Sequence, residues 1–481
     1  MKHSVRIARN TSWLVIAMAI SRVLNAIFII LLANHLLPGD FGIYNFAMAI
    51  AYVASVVTDW GFDELTIREI SRKPHEGPSY LGSMLITRMM LGLATFGALA
   101  AIFYLAFRGV DDGISLNILL MTGAIIILEK MAGSFIAIFQ AHERMDLNAL
   151  ASVSGRSFFL SLGLLGIFLG YELINILYLL FLSSILNFIV SHTIYRSRLG
   201  GTVKTPSYGD IRSLIKKALP FTIFILVSVI YGHVIVLILS ILQGTFETGI
   251  YSASWKIIVF FGAVPYSFGR ALYPVFSKFS TSDDNVMENA YINSLRYLLM
   301  ISLPLTIGLF IIAEDVLSLI YHVEYRQTIH VFRVMIWTIP FLFMNGSLKM
   351  VLWGSNKTMT TSRNLGLASI FLIIFGVFFI MGYGVVGAAA AVVLAEMIHF
   401  FVNYHSVNSF MKPADLHILW KPYVACGTMA LLLYIPTGLS VILSVPIAIS
   451  TYFVVLYLIQ GITKKDIDVL KGTFGFKNDR I

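Results

Sequence analysis

The 481-residue chain is 58% hydrophobic and only 12% charged, with a formal net charge of +9. Its mean hydropathy of +0.84 excludes a soluble globular enzyme and points to a polytopic membrane protein, with apolar blocks of about twenty residues joined by short polar segments. The single cysteine, Cys426, rules out an intrachain disulfide and a cysteine-only zinc site, and there is no soluble basic face to serve a nucleic acid.

The N-terminal MKHSVRIARNTS is basic. The apolar run after it is too long for the ~7–15-residue core of a signal peptide, so it reads as a retained first span. A helix from Thr11 to His35 is long enough, at ~1.5 Å per residue, to cross a ~30 Å hydrocarbon layer. Arg22 lies near its middle, where an ionised side chain costs at least ~2.5–3.5 kcal/mol. After this span, 11–35, further spans are expected at 40–60, 79–107, 116–140, 148–170, 172–195, 218–242, 248–270, 288–312, 328–353, 362–381, 385–408, 421–437 and 440–461, fourteen in all.

Placing the N-terminus inside puts most of the 34 Lys and Arg residues on the cytoplasmic side, with only Arg108 and Arg326 on the other. By the positive-inside rule both termini are therefore cytoplasmic. One internal repeat is visible. DFGIYN (Asp40 to Asn45) opens the second span and ETGIYS (Glu247 to Ser252) opens the eighth. A shift of six spans keeps the two halves in the same orientation, related by an axis along the membrane normal, with a cavity expected between them. The expected organisation is a six-helix lobe over 1–195, a cytoplasmic linker over 196–217, a second six-helix lobe over 218–410, an extra helix pair over 411–461 and a cytoplasmic tail over 462–481. The extra pair carries no Asp, Glu, Lys, Arg or His from Ala425 to Gly461, so it is expected to face lipid or the carrier's tail rather than the sugar, and to be dispensable for folding of the lobes.

Inside the spans, cations outnumber acids. Arg22, Arg88, Lys130, Arg156 and Lys256 are too deep to reach an interface easily, and a shared hydrated cavity that receives an anionic cargo would accommodate them. Guanidinium groups suit phosphate through two-pronged hydrogen bonding. Asn25 lies on the same helical face as Arg22 and joins the candidate lining. A structural ion pair between helices is the bland alternative for any of these cations. Glu129 and Lys130 are adjacent and point about 100° apart, so they cannot simply pair with each other. In the twelfth span Glu396, His399 and Asn403 share one face of an apolar helix. A buried carboxylate and a histidine both titrate within reach of neutral pH, which makes Glu129, Glu396 and His399 candidates for H+ or Na+ coupling. No Walker loop and no HExxH motif is present; the chain does not read as an enzyme, and no cofactor is expected.

The stretches SWLVIAMAISRVLNAIFIILLANHLLPGDFGIYNFAMAI, GFDELTIREISR and FQAHERMDLNALASVSGR resemble the Wzx-type oligosaccharide flippases of polysaccharide biosynthesis. These belong to the multidrug/oligosaccharidyl-lipid/polysaccharide exporter (MOP) superfamily. The likeness is clearest up to Leu160, returns in GIYSASWKI, and is limited to hydropathy near the C-terminus. It implies an all-α membrane protein with a MATE-like fold: two six-helix lobes around a central cavity, plus two C-terminal helices. It also implies movement of an oligosaccharide, linked by diphosphate to an undecaprenyl- or dolichyl-type lipid, from the inner to the outer leaflet of the cell membrane. The expected partners are that polyprenyl-diphosphate-linked oligosaccharide and membrane lipids. The protein is expected to function as a monomer, with polysaccharide-assembly proteins as possible associates. The alternative is a multidrug or cation antiporter of the same fold. Such exporters carry acidic cation-binding residues, where this chain carries Arg22.

Overall fold

The computed structural model describes residues 2–107, 113–200, 205–279, 284–412, 420–434 and 441–462. The side chain of Arg22, Arg108 and nearly all of the expected tail lie outside the described residues. Within them the chain is helical, with no strand.

The first helix, α1 (Lys2–Asp59), holds the first two expected spans and is broken at Leu37 (φ 61, ψ 170). The break follows from the next residue. Pro38 has no N–H to donate to the turn before it, and its ring disfavours helical geometry at the residue it follows. A short helix, α2 (Phe62–Ile70), comes next, within a stretch expected to be only a joint. Then follow α3 (Gly77–Ile102), α4 (Leu116–Ala141), α5 (Met145–Phe168) and α6 (Leu173–Leu199). α7 (Tyr208–Gln243) starts from a capping box in which Ser207 Oγ accepts from the Asp210 amide at 3.2 Å and Asp210 Oδ2 accepts from the Ser207 amide at 2.9 Å. Next come α8 (Thr245–Phe261), α9 (Ala263–Phe279), α10 (Asp284–Ile311), α11 (Ala313–Ile320), α12 (Thr328–Met335) and α13 (Thr338–Gly354). α14 (Thr358–Asn408) holds two expected spans and bends at Gly384 (φ 57, ψ −139), backbone that only glycine adopts without strain. α15 (Trp420–Tyr434) and α16 (Val441–Leu458) complete the series.

Every one of the fourteen expected spans therefore coincides with a helix, half of a broken helix, or a pair of helices. Among the described residues eight helices are individually long and apolar enough to cross a membrane, nine when α12 and α13, bent by 40°, count as one span. The chain is an all-α, multi-pass membrane protein.

The helices group into two compact units, each discontinuous in sequence. The first comprises Met1–Ala263, Tyr321–Val331 and Ser362–Ala395. Its centre is α1, which packs against α8, α7, α4, α5 and α3. The elbow after α1 is tied to α7: Trp60 Nε1 donates to the Ile215 carbonyl at 3.2 Å, and Thr222 Oγ1 to the Trp60 carbonyl at 3.0 Å. Phe62 and Leu65 of α2 are buried with Met84, Leu214 and Ala218.

The second unit comprises Val264–Ile320, Phe332–Thr361 and Glu396–Ile481. Here α10 packs against α13 and α15, and α15 against α16. Cys426, Met429, Tyr452 and Leu456 of the last two helices belong to the same buried cluster as Tyr291, Leu295 and Leu348. Tyr452 also donates its hydroxyl to the Met300 carbonyl at 2.8 Å. The opposite faces carry exposed apolar side chains, among them Leu431, Leu443 and Val454, so the shared core counts against dispensability for folding and not against facing lipid or the carrier's tail. One face of each helix is core, and sparse polarity concealed it because core and lipid select the same side chains.

Candidate functional site

Three groups of buried polar side chains stand out, two in the first unit and one in the second. In the first group, Arg88 of α3 is 0% exposed. Its Nη2 lies 3.2 Å from Asp59 Oδ1 and 3.1 Å from Asp63 Oδ1. Its Nη1 donates to Ser134 Oγ at 2.7 Å and to the Lys130 carbonyl. Lys130 Nζ lies 2.5 Å from Asp59 Oδ2. Two cations face two carboxylates, so the group is electrically balanced. Such a cluster pairs its charges internally and offers an anion little net attraction. Arg88 and Lys130, expected in a cationic cavity, belong to this closed network. Asp59 ends the second expected span, whereas Asp63 sits in the joint after it, where nothing in the local pattern marks it as a partner of Arg88.

The second group joins α1, α4, α5, α7 and α8. Arg156 Nη1 donates to Asn25 Oδ1 at 2.9 Å, which brings two of the expected residues together. The Arg156 guanidinium lies 5.4 Å from the centre of the Phe159 ring, and Phe159 meets Phe28 edge-on at 5.1 Å. Packing on that aromatic face orients the cation. Glu129 is within electrostatic reach of Arg156 and Lys130, and Tyr44 and Tyr52 are within reach of both Glu129 and Arg156. The Tyr52 ring stacks on His233, centres 4.8 Å apart and 14° between planes. His233 in turn feels the charge of Lys256. Neither Arg156 nor Lys256 has a carboxylate within ion-pair distance among the described residues. With Glu129 as its one acid, this group carries excess positive charge. Arg22, expected beside it, has its side chain outside the described residues. Tyr44 and Tyr52 were missed because aromatic residues are abundant throughout the spans.

An apolar cavity of about 440 Å³ lies between α1, α3 and α7, lined by Phe46, Ile50, Val53 and Leu237 among others. Thr95 at its wall already bonds to Thr58 at 2.8 Å. A sugar would find no hydrogen-bonding partner there.

The third group lies in the second unit. Asn345 of α13 donates through Nδ2 to Glu396 Oε2 at 2.8 Å, and its Oδ1 accepts from Asn403 Nδ2 at 3.0 Å. His399 Nδ1 lies 3.7 Å from Glu396 Oε2, and Lys349 is within electrostatic reach of the same carboxylate. The helical stripe read from sequence is thus one wall of a network whose other wall is α13. Asn345 was missed because it is a single polar residue on an otherwise apolar helix. No group of three or more His, Cys, Asp and Glu residues among those described is arranged to hold a metal ion.

Comparison with known proteins gives concordant results. The family described as "Polysaccharide biosynthesis protein" matches residues 7–280, more than half of the chain, and the MatE family matches residues 220–379. The chain is 19% identical over 407 residues, 84% of each chain, to the "Probable low-salt glycan biosynthesis flippase Agl15" of Haloferax volcanii. Its fold matches the "Lipid II flippase MurJ, inward closed conformation" with a TM-score of 0.75 at 16% identity, over 93% of this chain and 98% of that one. It also matches a MOP superfamily transporter from Pyrococcus furiosus, with a TM-score of 0.59 at 16% identity over 84% and 94%. That structure is described by the phrase "Reverse polarity of binding pocket suggests different function". The fold is that of the MOP superfamily.

Proposed function

The chain belongs to the polysaccharide biosynthesis protein family, and from that premise we propose that it is a flippase, a transporter and not an enzyme. It carries a lipid-diphosphate-linked oligosaccharide from the inner to the outer leaflet of the cell membrane by alternating access. The observation that carries this reading is the contrast between the two charged groups of the first unit. Arg88 and Lys130 are neutralised by Asp59 and Asp63, whereas Arg156 and Lys256 keep their charge unpaired beside a single acid. An unpaired guanidinium held in place by Asn25 is prepared for a phosphate oxygen. The cation exporters of the same fold would require the opposite balance.

In this reading both termini are cytoplasmic, the diphosphate head group enters between the cations, and the lipid tail stays in the bilayer. Tyr52 and His233, half-buried and stacked on each other, supply polar ring edges for hydrogen bonds to sugars. Glu396, with Asn345 and His399, is the candidate site for H+ or Na+ coupling. The protein acts as a monomer.

The test is transport itself. Purified protein in liposomes, given a polyprenyl-diphosphate-linked oligosaccharide in one leaflet, should deliver it to the other, as read by a glycosidase or lectin acting on that side only. Uptake of cationic drugs by the same liposomes, with no movement of the lipid-linked sugar, would overturn the reading.

A further inference from the structure

We propose that the two copies of the GIY repeat form a seam that closes one end of the transport path and must part once in every cycle. Gly42 and Gly249 hold equivalent positions in DFGIYN and ETGIYS, and the structure brings the two copies into direct contact. A Cβ on Gly42 would stand 1.7 Å from the Thr245 carbonyl oxygen, and a Cβ on Gly249 would stand 1.9 Å from the Pro38 carbonyl oxygen. Each glycine thus meets the residue one helical turn before the other glycine, so the contact is reciprocal. Two helices approach this closely only where a side chain is missing.

The seam lies beside breaks in both helices. Leu37 leaves helical geometry just before the first copy (φ 61, ψ 170), and Gly244 does so just before the second (φ 89, ψ −179). Non-helical residues at element ends are where hinge rotation is absorbed. A strap, Tyr321–Val331, crosses the same end within the same unit. Tyr325 donates its hydroxyl to the Ala33 carbonyl at 2.8 Å, and Tyr321 donates to the Ala253 carbonyl at 3.1 Å. The two rings lie 5.1 Å apart, and Tyr325 also packs edge-on against Phe41 at 6.4 Å. One strap therefore holds both repeat-bearing helices through backbone carbonyls. Among the described residues no ion pair links Pro38–Tyr44 to Thr245–Tyr251. Backbone packing between the two repeat copies and the two tyrosine hydroxyl bonds carry this joint.

This inference rests on the transporter reading for its cycle and on the proposed topology for its side, which is the outer one. Its first test needs no substrate. Thr248, 0% exposed beside Gly249, is replaced by cysteine in the full-length protein in sealed right-side-out vesicles, with buried Cys426 retained. A membrane-impermeant maleimide should label Thr248→Cys slowly. Adding Gly42→Ala or Gly249→Ala, whose methyl groups cannot fit the closed seam, should raise labelling several-fold. Tyr321→Phe with Tyr325→Phe removes only the two hydroxyls and should raise it to a smaller degree, so the test survives if the alanine variants fail to fold. In parallel, Asp40→Cys and Glu247→Cys joined by a short reducible cross-linker should stop export, and reduction should restore it. Unchanged labelling in the tyrosine pair, or normal export by the cross-linked protein, would overturn the seam. Labelling that follows these expectations in a protein that moves no lipid-linked sugar would sustain the seam and overturn only the proposed cargo.

Discussion

Lys130 and Arg88 share one carboxylate: Asp59 presents Oδ2 to the lysine at 2.5 Å and Oδ1 to the arginine at 3.2 Å. This acid ties α3 and α4 to the end of α1. Replacing it leaves a fully buried guanidinium with only Asp63, itself 29% exposed, as a charged partner. Breaking a buried pair from one side typically costs ~3–5 kcal/mol. Asp59→Asn is therefore expected to lower thermal stability in detergent strongly and to reduce membrane abundance. Asp59→Asn combined with Lys130→Met should recover part of that loss, because one unpaired cation disappears with the acid. Equal stability of wild type and Asp59→Asn would return both cations to the candidate cargo site.

Removing residues 418–481 should damage the second unit. The truncation strips Cys426, Met429 and Tyr452 from a cluster that includes Tyr291 and Leu295 and deprives the Met300 carbonyl of its donor. Size-exclusion chromatography should show aggregation. A monodisperse truncated protein would restore the view of these helices as an appendage.

Much of the fold was legible because its signals are local. Pro38 and Gly384 mark the breaks in α1 and α14, and runs of apolar residues mark the spans. The repeat was visible as two GIY motifs, although nothing in the letters says that the copies touch. The candidate site was legible only in outline. Arg156 and Asn25 were named and do meet, yet Arg88 was named for the same reason and proved neutralised. Whether a buried cation is balanced depends on residues distant in sequence, here Asp59 with Lys130, and spacing along the chain carries no record of that. The share of the C-terminal pair in the second unit's core was hidden for a related reason: the face of an apolar helix toward core and the face toward lipid look alike.

The polar joint between α4 and α5 gives a pH-dependent effect. Arg144 donates to Asp146 through Nε at 2.9 Å and Nη2 at 2.8 Å, and those bonds hold the Asp146 carboxyl below its ordinary value of 3.8. An acid whose folded value is depressed stabilises fully above its unfolded value and loses that contribution as pH falls through the folded one. Amides at the start of α5 should therefore lose hydrogen-exchange protection below about pH 4. Asp146→Asn should show the reduced protection already at neutral pH and no further acid step there. The pair is exposed, so global stability should barely respond.

Glu396 offers a test of coupling. Glu396→Gln keeps an oxygen that can accept from Asn345, now at 2.8 Å from Oε2, and removes the charge that faces His399 and Lys349. If this carboxylate exchanges H+ or Na+ during transport, export should become insensitive to an imposed gradient of that ion, at unchanged abundance. Export of the variant that still rises with both gradients would place the coupling elsewhere.

The cations of the second group should matter to transport more than to folding. Arg156 and Lys256 have no carboxylate within ion-pair distance among the described residues, so neutralising either breaks no salt bridge, and Glu129 keeps Lys130 within electrostatic reach. Arg156→Ala, Lys256→Met and Arg22→Ala are each expected to reduce export per molecule by roughly tenfold or more, the equivalent of ~1.4 kcal/mol or more of lost interaction with the cargo. Arg156→Lys and Arg22→Lys should fall in between, because an ammonium keeps the charge but loses the planar two-pronged geometry. Lys256→Arg should retain most of the activity. Export and membrane abundance must be measured together, in cells lacking their own flippase. Normal export per molecule from a scarce Arg156→Ala protein would assign that residue to the architecture, with its bond to Asn25 serving to fasten α5 to α1.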